Sequence, residues 1–328
     1  MPKRVLFLVG PTGSGKSKLV LALARKLNGE IISCDSMHVY RGMDIGTDKP
    51  TQRERKSIPH HLLDLKSPRA ECSVFEHRTL TLKAIDQILS KNRLPIVVGG
   101  SGFYFKVLLD GMPQQPGKQA KLREQLEALA RKKGLPYLYA RLKKMNQARA
   151  KAIHPNDKRR IIRALEVLES ARHSKNKSEE TAEGLNLRGI QPIAFGLLRD
   201  RAELYERIER RVDRMFDAGW LDEVKRLKRA GLSKTARAAI GYSEILDYLK
   251  GRRTLEEAKA EIKKRTRHLA KKQMTWFRKD PRISWIQITG NQFVLQACRT
   301  IVKAFPPPFR QTERRIRHSA GRIKVGGR

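Results

Sequence analysis

Gly10-Pro11-Thr12-Gly13-Ser14-Gly15-Lys16-Ser17 is the stretch that decides the fold. It fits G-x-x-x-x-G-K-[ST] at every fixed position, and its flanks agree with the motif. Residues 5–9 before it read as a short apolar strand, and residues 16–27 after it as a helix. Glycines let the backbone N–H groups turn inward around phosphate oxygens, and the helix N-terminus adds its dipole. Lys16 would neutralise the outer phosphates, and the Ser17 hydroxyl suits Mg²⁺.

Outward from this loop, residues 31–34 form a second short strand. Residues 96–98 form a third, which runs straight into Gly99-Gly100-Ser101-Gly102. Strands alternating with helical stretches predict an α/β fold, a phosphate-loop core whose parallel sheet is flanked by helices. Residues 114–189 turn helical and basic, with Leu122, Leu126 and Leu129, then Ile161, Leu165 and Leu168, at helical spacing. Residues 174–184 read as a flexible loop, and residues 192–197 return to the core as a β segment. The expected organisation is a core of residues 1–113 and 190–305, an all-helical insert of residues 114–189, and a basic, disordered tail of residues 306–328. In the last third, Leu204, Ile208, Val212 and Met215 form an apolar stripe, with Arg207, Arg211 and Arg214 expected on the opposite face. Thr254 and Glu257 have the spacing of a capping box before a long basic helix.

Charge narrows the partners. Lys and Arg number 71 against 33 Asp and Glu, a formal net charge of +38, which attracts polyanions and points to nucleic acid. A generally basic proteome or a ribosome-associated habit would produce the same excess. No apolar run approaches the roughly 20 residues that span a bilayer. The first strand starts within a few residues of Met1, which leaves no room for a signal peptide, so the expected compartment is the cytoplasm. Cys34, Cys72 and Cys298 lie far apart and suggest neither a disulfide framework nor a metal site.

The phosphate loop by itself leaves three readings: a nucleoside-triphosphate hydrolase, a small-molecule kinase, and a transferase that uses another diphosphate. The guanine-reading N-K-x-D is missing. Residues 31–35, Ile-Ile-Ser-Cys-Asp, are only a weak version of a motor ATPase's carboxylate strand.

Longer blocks decide among these. Asp35-Ser36-Met37-His38-Val39-Tyr40-Arg41-Gly42-Met43-Asp44-Ile45-Gly46-Thr47-Asp48-Lys49-Pro50 closely resembles the D-S-x-x-[VI]-Y-[KR]-G-M-D-I-G-T-[AD]-K-P block of bacterial tRNA dimethylallyltransferases. Pro59-His60-His61-Leu62-Leu63-Asp64, Gly99-Gly100-Ser101-Gly102-Phe103-Tyr104, and Asn156-Asp157 with Arg159-Arg160-Ile161-Ile162-Arg163-Ala164-Leu165-Glu166 resemble that family's next blocks. Ala239-Ile240-Gly241-Tyr242 and Lys272-Gln273-Met274-Thr275-Trp276-Phe277-Arg278 complete the series, in family order over residues 4 to 280.

The resemblance implies transfer of a dimethylallyl group from dimethylallyl diphosphate to the exocyclic N6 of the adenosine 3′ of the anticodon. The implied acceptors are tRNAs reading codons that begin with U, clasped at the anticodon stem-loop by the insert. Residues 10–17 with Arg207 and Arg211, which match the family's R-I-x-x-R, are expected to hold the diphosphate, with Mg²⁺ at Ser17. Asp35 is the expected base, at the carboxyl end of a strand where open α/β sheets bind ligands. Ser101 is expected to hydrogen-bond the reacting region or the target nucleotide. Asp35, Ser36, Met37, His38 and Ser101 would meet that nucleotide. Arg123, the run Arg159, Arg160, Ile161, Ile162 and Arg163, and Lys271 with Arg278 would meet the stem-loop. Lys264 and Arg267 share the face of Lys271, while Trp276 is expected in the core. His60 and His61 are local hydrogen-bonding residues or pocket lining.

Cys34 stands where the family has glycine or alanine, and would make the site oxidation-sensitive if exposed. The loop after Glu169 also departs from the family's pattern. The alternatives are a prenyltransferase for free adenine nucleotides, a phosphate-loop kinase, and a non-enzymatic RNA-binding protein. A monomer with no obligate protein partner is expected.

Overall fold

The computed structural model describes residues 3–113, 119–173, 181–182, 184–185, 188–290 and 292–305. The expected tail, residues 306–328, and most of the expected loop 174–184 lie outside the described residues. In chain order the strands are β1 (Lys3–Val9), β2 (Gly29–Ser33), β3 (His60–His61), β4 (Leu94–Gly99), β5 (Met112–Pro113), β6 (Thr181–Ala182), β7 (Ile190–Leu198) and β8 (Ile283–Gln287). Six of them make one all-parallel sheet in the order β3-β2-β4-β1-β7-β8, while β5 and β6 pair antiparallel with each other.

A parallel strand covered on both faces needs apolar residues at successive positions rather than at alternate ones. β1 supplies them: Val5, Leu6, Phe7 and Leu8 are all fully buried. Val5, Phe7 and Val9 pack with Ile32 and Val97 against α3 (Val74–Ser90) and α4 (Gly102–Asp110). Leu6 and Leu8 pack with Ile31 and Ile96 against α1 (Lys16–Lys26) and the last helix, Phe293–Lys303.

Register places the site. Leu8 of β1 pairs with Val98 of β4, which pairs with Ser33 of β2. Two residues beyond that row, the chain reaches Gly10, Gly100 and Asp35, so three strand ends deliver their following residues to one sheet edge.

The chain divides into two compact units, one of residues up to Asp110 and from Leu185 onward, the other Gly111–Gly184. The short α2 (Gln52–Ser57) belongs to the first unit, and among the described residues the second holds α5 (Ala120–Lys133), α6 (Leu135–Met145), α7 (Gln147–Lys151) and α8 (Lys158–His173). They close around Leu126, Leu138, Leu142, Ile161 and Leu165. The first unit continues through α9 (Arg201–Asp217), α10 (Trp220–Ala230), α11 (Lys234–Arg237), α12 (Tyr242–Tyr248), α13 (Leu255–Phe277) and α14 (Phe293–Lys303). Thr254 and Glu257 do form the capping box that opens α13. Among the described residues no helix is long and apolar enough to cross a membrane.

Candidate active site

The phosphate loop turns on backbone that only glycine adopts freely: Gly13 has φ +80° and Gly15 φ +101°. A Cβ on Gly15 would stand 2.5 Å from Phe293 Cζ, so the loop also needs the missing side chain to pack on α14. Lys16 Nζ donates to the loop's own carbonyls, Gly10 O at 2.9 Å and Pro11 O at 2.7 Å. Removal from water, helped by Arg211, pushes its pKa down to about 7, against the pull of Asp35 and Asp48. The Ser14 hydroxyl is buried and finds no partner among the described residues, a donor that an anion in the loop would satisfy.

α9 runs beside this loop. Arg207 Nε donates to Gly13 O at 3.1 Å, and Arg211 Nη1 pairs with Asp48 Oδ2 at 3.1 Å. Leu204 and Ile208 of the apolar stripe also meet the loop, since a Cβ on Gly13 would touch both. Arg207 and Arg211 are therefore half-buried beside the stripe, not on the opposite face as expected, and only Arg214 is exposed. Arg207 and Arg211 lie beside the stripe on the helix, and Arg207, Leu204 and Ile208 meet the phosphate loop while Arg211 reaches Asp48.

Asp35 follows β2 after one residue, Cys34. Its Oδ1 accepts the Met37 N–H at 2.9 Å, which folds residues 35–37 into a side-chain-capped turn. Behind it, Cys34 is 3% exposed, and burial, with Asp35 adding to it, pushes its thiol up to about 12. The exposure on which oxidation sensitivity would depend is therefore absent, and Cys34 fills space, because a sealed thiol yields no thiolate. A stacked pair, His77 on Tyr104 with ring centroids 4.5 Å apart, lies in the same region. Burial drives the His77 pKa down to about 4 against the attraction of Asp35, so the imidazole is neutral at working pH. Ser101 starts α4, its carbonyl accepting the Phe105 N–H at 3.1 Å.

The segment after Asp35 is mostly scaffold. His38 Nε2 donates to Thr47 O at 2.9 Å, so its Nδ1 is left to accept from Ser33 Oγ at 2.8 Å. With both ring nitrogens engaged, His38 braces residues 33–47, and neither nitrogen is free to hydrogen-bond the nucleotide that His38 was expected to meet. Glu223 of α10, itself buried, accepts the N–H groups of Asp44, Ile45 and Gly46 at 2.9, 2.7 and 3.2 Å and the Tyr242 hydroxyl at 2.7 Å. Lys49 is closed to solvent and bonds Tyr40 O, Asp44 at 2.8 Å and Asp64 at 2.6 Å, while Arg55 holds the other oxygen of Asp64 at 2.5 Å. His61 pairs with Glu30 at 2.7 Å and His60 bonds Ile58 O at 2.8 Å, which decides for local hydrogen bonding over pocket lining.

Sequence reasoning missed Glu223, and also Gln273. Gln273 Oε1 accepts the Thr12 N–H at 2.9 Å, and its amide lies where a Cβ on Gly100 would go, so α13 bridges two of the strand ends. Gln273 belongs to the block Lys272–Arg278; Glu223 carries no signal beyond its place in the first turn of α10.

Of the expected RNA contacts, Ile161 and Ile162 are corrected: both are core residues of the second unit with side chains shut from solvent. Arg163 is half-buried and pairs with Glu166 at 3.1 Å. Arg159, Arg160, Lys271 and Arg278 are exposed, and Arg123 half-exposed. On α13, Arg267 pairs with Glu209, and Trp276 packs edge-on against Phe105 and Phe277.

Among the described residues no group of three or more His, Cys, Asp or Glu could hold a metal. The donor that fits one is the Ser17 hydroxyl, exposed at the start of α1. A divalent cation there would take its remaining oxygens from substrate and water, as Mg²⁺ habitually does.

A family model described as IPP transferase matches residues 38–280. The tRNA dimethylallyltransferase of Alkaliphilus oremlandii is 42% identical over 313 residues, covering 94% of this chain and 99% of its own. The tRNA dimethylallyltransferase 1 of Pelobacter propionicus is 44% identical over 288 residues, covering 87% and 92%. Among solved structures, the full-length tRNA isopentenylpyrophosphate transferase from Bacillus halodurans superposes with a TM-score of 0.66 at 37% identity, over 92% of this chain and 96% of that one. A eukaryotic dimethylallyltransferase acting on tRNA gives a TM-score of 0.74 at 26% identity, over 95% and 82%.

Proposed function

Because the chain belongs to the IPP transferase family, we propose that it transfers a dimethylallyl group from dimethylallyl diphosphate to tRNA. The acceptor is N6 of the adenosine 3′-adjacent to the anticodon, in tRNAs that read codons beginning with U. The observation that carries this reading is the shared sheet edge, where β1, β2 and β4 present a phosphate cradle, a carboxylate and Ser101 side by side.

In this reading the N6 lone pair forms a bond to the allylic C1 as the C1–O bond breaks, and the bonding pair leaves with the diphosphate. Loop N–H groups, Lys16, Arg207 and Arg211 receive the growing negative charge. Mg²⁺, held through Ser17, would neutralise further phosphate charge. Asp35 takes the N6 proton on Oδ2, since Oδ1 is committed to the Met37 N–H. Gln273 keeps Thr12 in register beneath the diphosphate. Ser36 and Met37 meet the extruded nucleotide, and Arg123, Arg159, Arg160, Lys271 and Arg278 meet phosphates of the anticodon stem-loop.

The test is to incubate the protein with dimethylallyl diphosphate, Mg²⁺ and unmodified tRNA, digest to nucleosides, and search for prenylated adenosine by mass spectrometry. Product with tRNA and none with AMP is expected. Product with AMP alone would shift the reading to free nucleotides, and no product with either would refute it.

A further inference from the structure

Three cations surround the diphosphate cradle, and each is held differently. Lys16 rests on loop carbonyls, Arg207 on Gly13 O, and Arg211 on a carboxylate, Asp48. Asp48 is not a wandering surface acid. Its backbone is in the left-handed region at φ +57°, and its N–H donates to Ile45 O at 3.0 Å. The next residue is the buried Lys49, pinned by Asp44 and Asp64, and the preceding turn hangs on Glu223. The turn thus aims the carboxylate at α9. Arg211 is only 22% exposed, and its Nε is shut from water without a partner among the described residues. A guanidinium cannot lose its proton to relieve this, so an anion remains to be supplied.

Resting on the diphosphate reading above, we propose that Asp48 sets the affinity of the cradle: its carboxylate stands in for the phosphate on Arg211 in the free enzyme and repels the diphosphate once that is bound. The consequence is chemical. A cradle of three cations, loop amides and a divalent ion would hold product diphosphate as firmly as substrate. A fixed negative charge at its rim weakens both and lets the product leave. The same carboxylate keeps Arg211 in place while the site is empty, at 3.1 Å.

The experiment is calorimetric titration of inorganic diphosphate and of dimethylallyl diphosphate, each with Mg²⁺, into wild type, Asp48→Asn, Arg211→Ala and the double variant. Asparagine tolerates the left-handed backbone and keeps the size of the side chain. Asp48→Gly is the second variant should the first fold poorly. Removing one partly exposed like charge is expected to tighten both ligands roughly five- to tenfold, less at 0.5 M salt. Product inhibition by diphosphate should strengthen in parallel. The gain should shrink when Arg211 is alanine, since the competition for its guanidinium is gone, but should not vanish, since the repulsion of the bound diphosphate remains. Unchanged or weaker binding in Asp48→Asn, with wild type binding normally, overturns the proposal and makes Asp48 a mere orienter of Arg211. Failure of wild type to bind either ligand would instead overturn the diphosphate reading itself.

Discussion

Diphosphate affinity should fall steeply above neutral pH, and the cause is Lys16. In the free enzyme its pKa is lowered from 10.5 to about 7, chiefly by burial and then by Arg211. A bound diphosphate supplies the missing counter-charge and restores the ammonium, so binding above pH 7 takes up a proton. At pH 9, two units above the free value, about 1% of the free enzyme carries that proton. Affinity there should be roughly a hundredfold below its acid-side limit, a loss of ~2.7 kcal/mol. Titration calorimetry at pH 6.5, 8 and 9, in two buffers of different ionisation enthalpy, reads both the slope and the proton count, which should approach one. Lys16→Arg keeps its charge throughout and should flatten the slope. Folding follows the same linkage with opposite emphasis. The folded pKa lies below the unfolded one, so between pH 7 and 10.5 the unfolded chain binds more protons. The destabilisation caused by burying this lysine is therefore full below pH 7 and relieved as pH rises towards 10.5. Affinity that stays level from pH 6.5 to 9 without proton uptake would refute the reasoning.

Asp35→Asn should lower single-turnover prenylation by ~10²–10⁴-fold while tRNA affinity, read by fluorescence anisotropy, stays within a few-fold; lost binding with activity preserved per complex would contradict the base assignment. Glu223→Ala strips the acceptor from three backbone N–H groups and the Tyr242 hydroxyl. It should cost ~3–5 kcal/mol in a urea titration, and a loss below ~1 kcal/mol would mean that water replaces the carboxylate. In the folded enzyme at pH 8, iodoacetamide should label half-exposed Cys72 well before buried Cys34, as read by peptide mapping; faster labelling of Cys34 would show that its seal opens.

The core was legible where chemistry and local geometry coincide. The strand, loop and helix around residues 10–17 could be read because a phosphate cradle needs those residues in that order, and Asp35 and Ser101 because they follow apolar strands. What stayed hidden depends on distance along the chain. β3 is two residues long and exists only because Ile31 and Ile32 pair with it, and neither β8 nor α14 carried a motif. Gln273 reaches Thr12 across 261 residues, and Glu223 reaches Ile45 across 178. No window of sequence contains such a contact. The α9 arginines are a different case, since helical spacing alone already puts Arg207 and Arg211 beside the Leu204 and Ile208 stripe rather than opposite it.

The block after Asp35 carries this one step further. Gly46 leaves no room for a Cβ beside Trp220, the buried Lys49 neutralises Asp44 and Asp64, and the amides of residues 44–46 fill Glu223. His38 spends both ring nitrogens on Ser33 and Thr47. Nearly every recognisable letter between His38 and Lys49 is thus occupied by holding the segment still. On the proposed reading the residues left to act on substrate are few: Asp35 at one end of it and Asp48 at the other. A rigid turn follows from that division of labour, because a base must lie within hydrogen-bond reach of N6 and a repelling carboxylate must not swing away from Arg211. The density of the motif reflects how much packing is needed to hold two carboxylates at fixed places beside a phosphate cradle that attracts both.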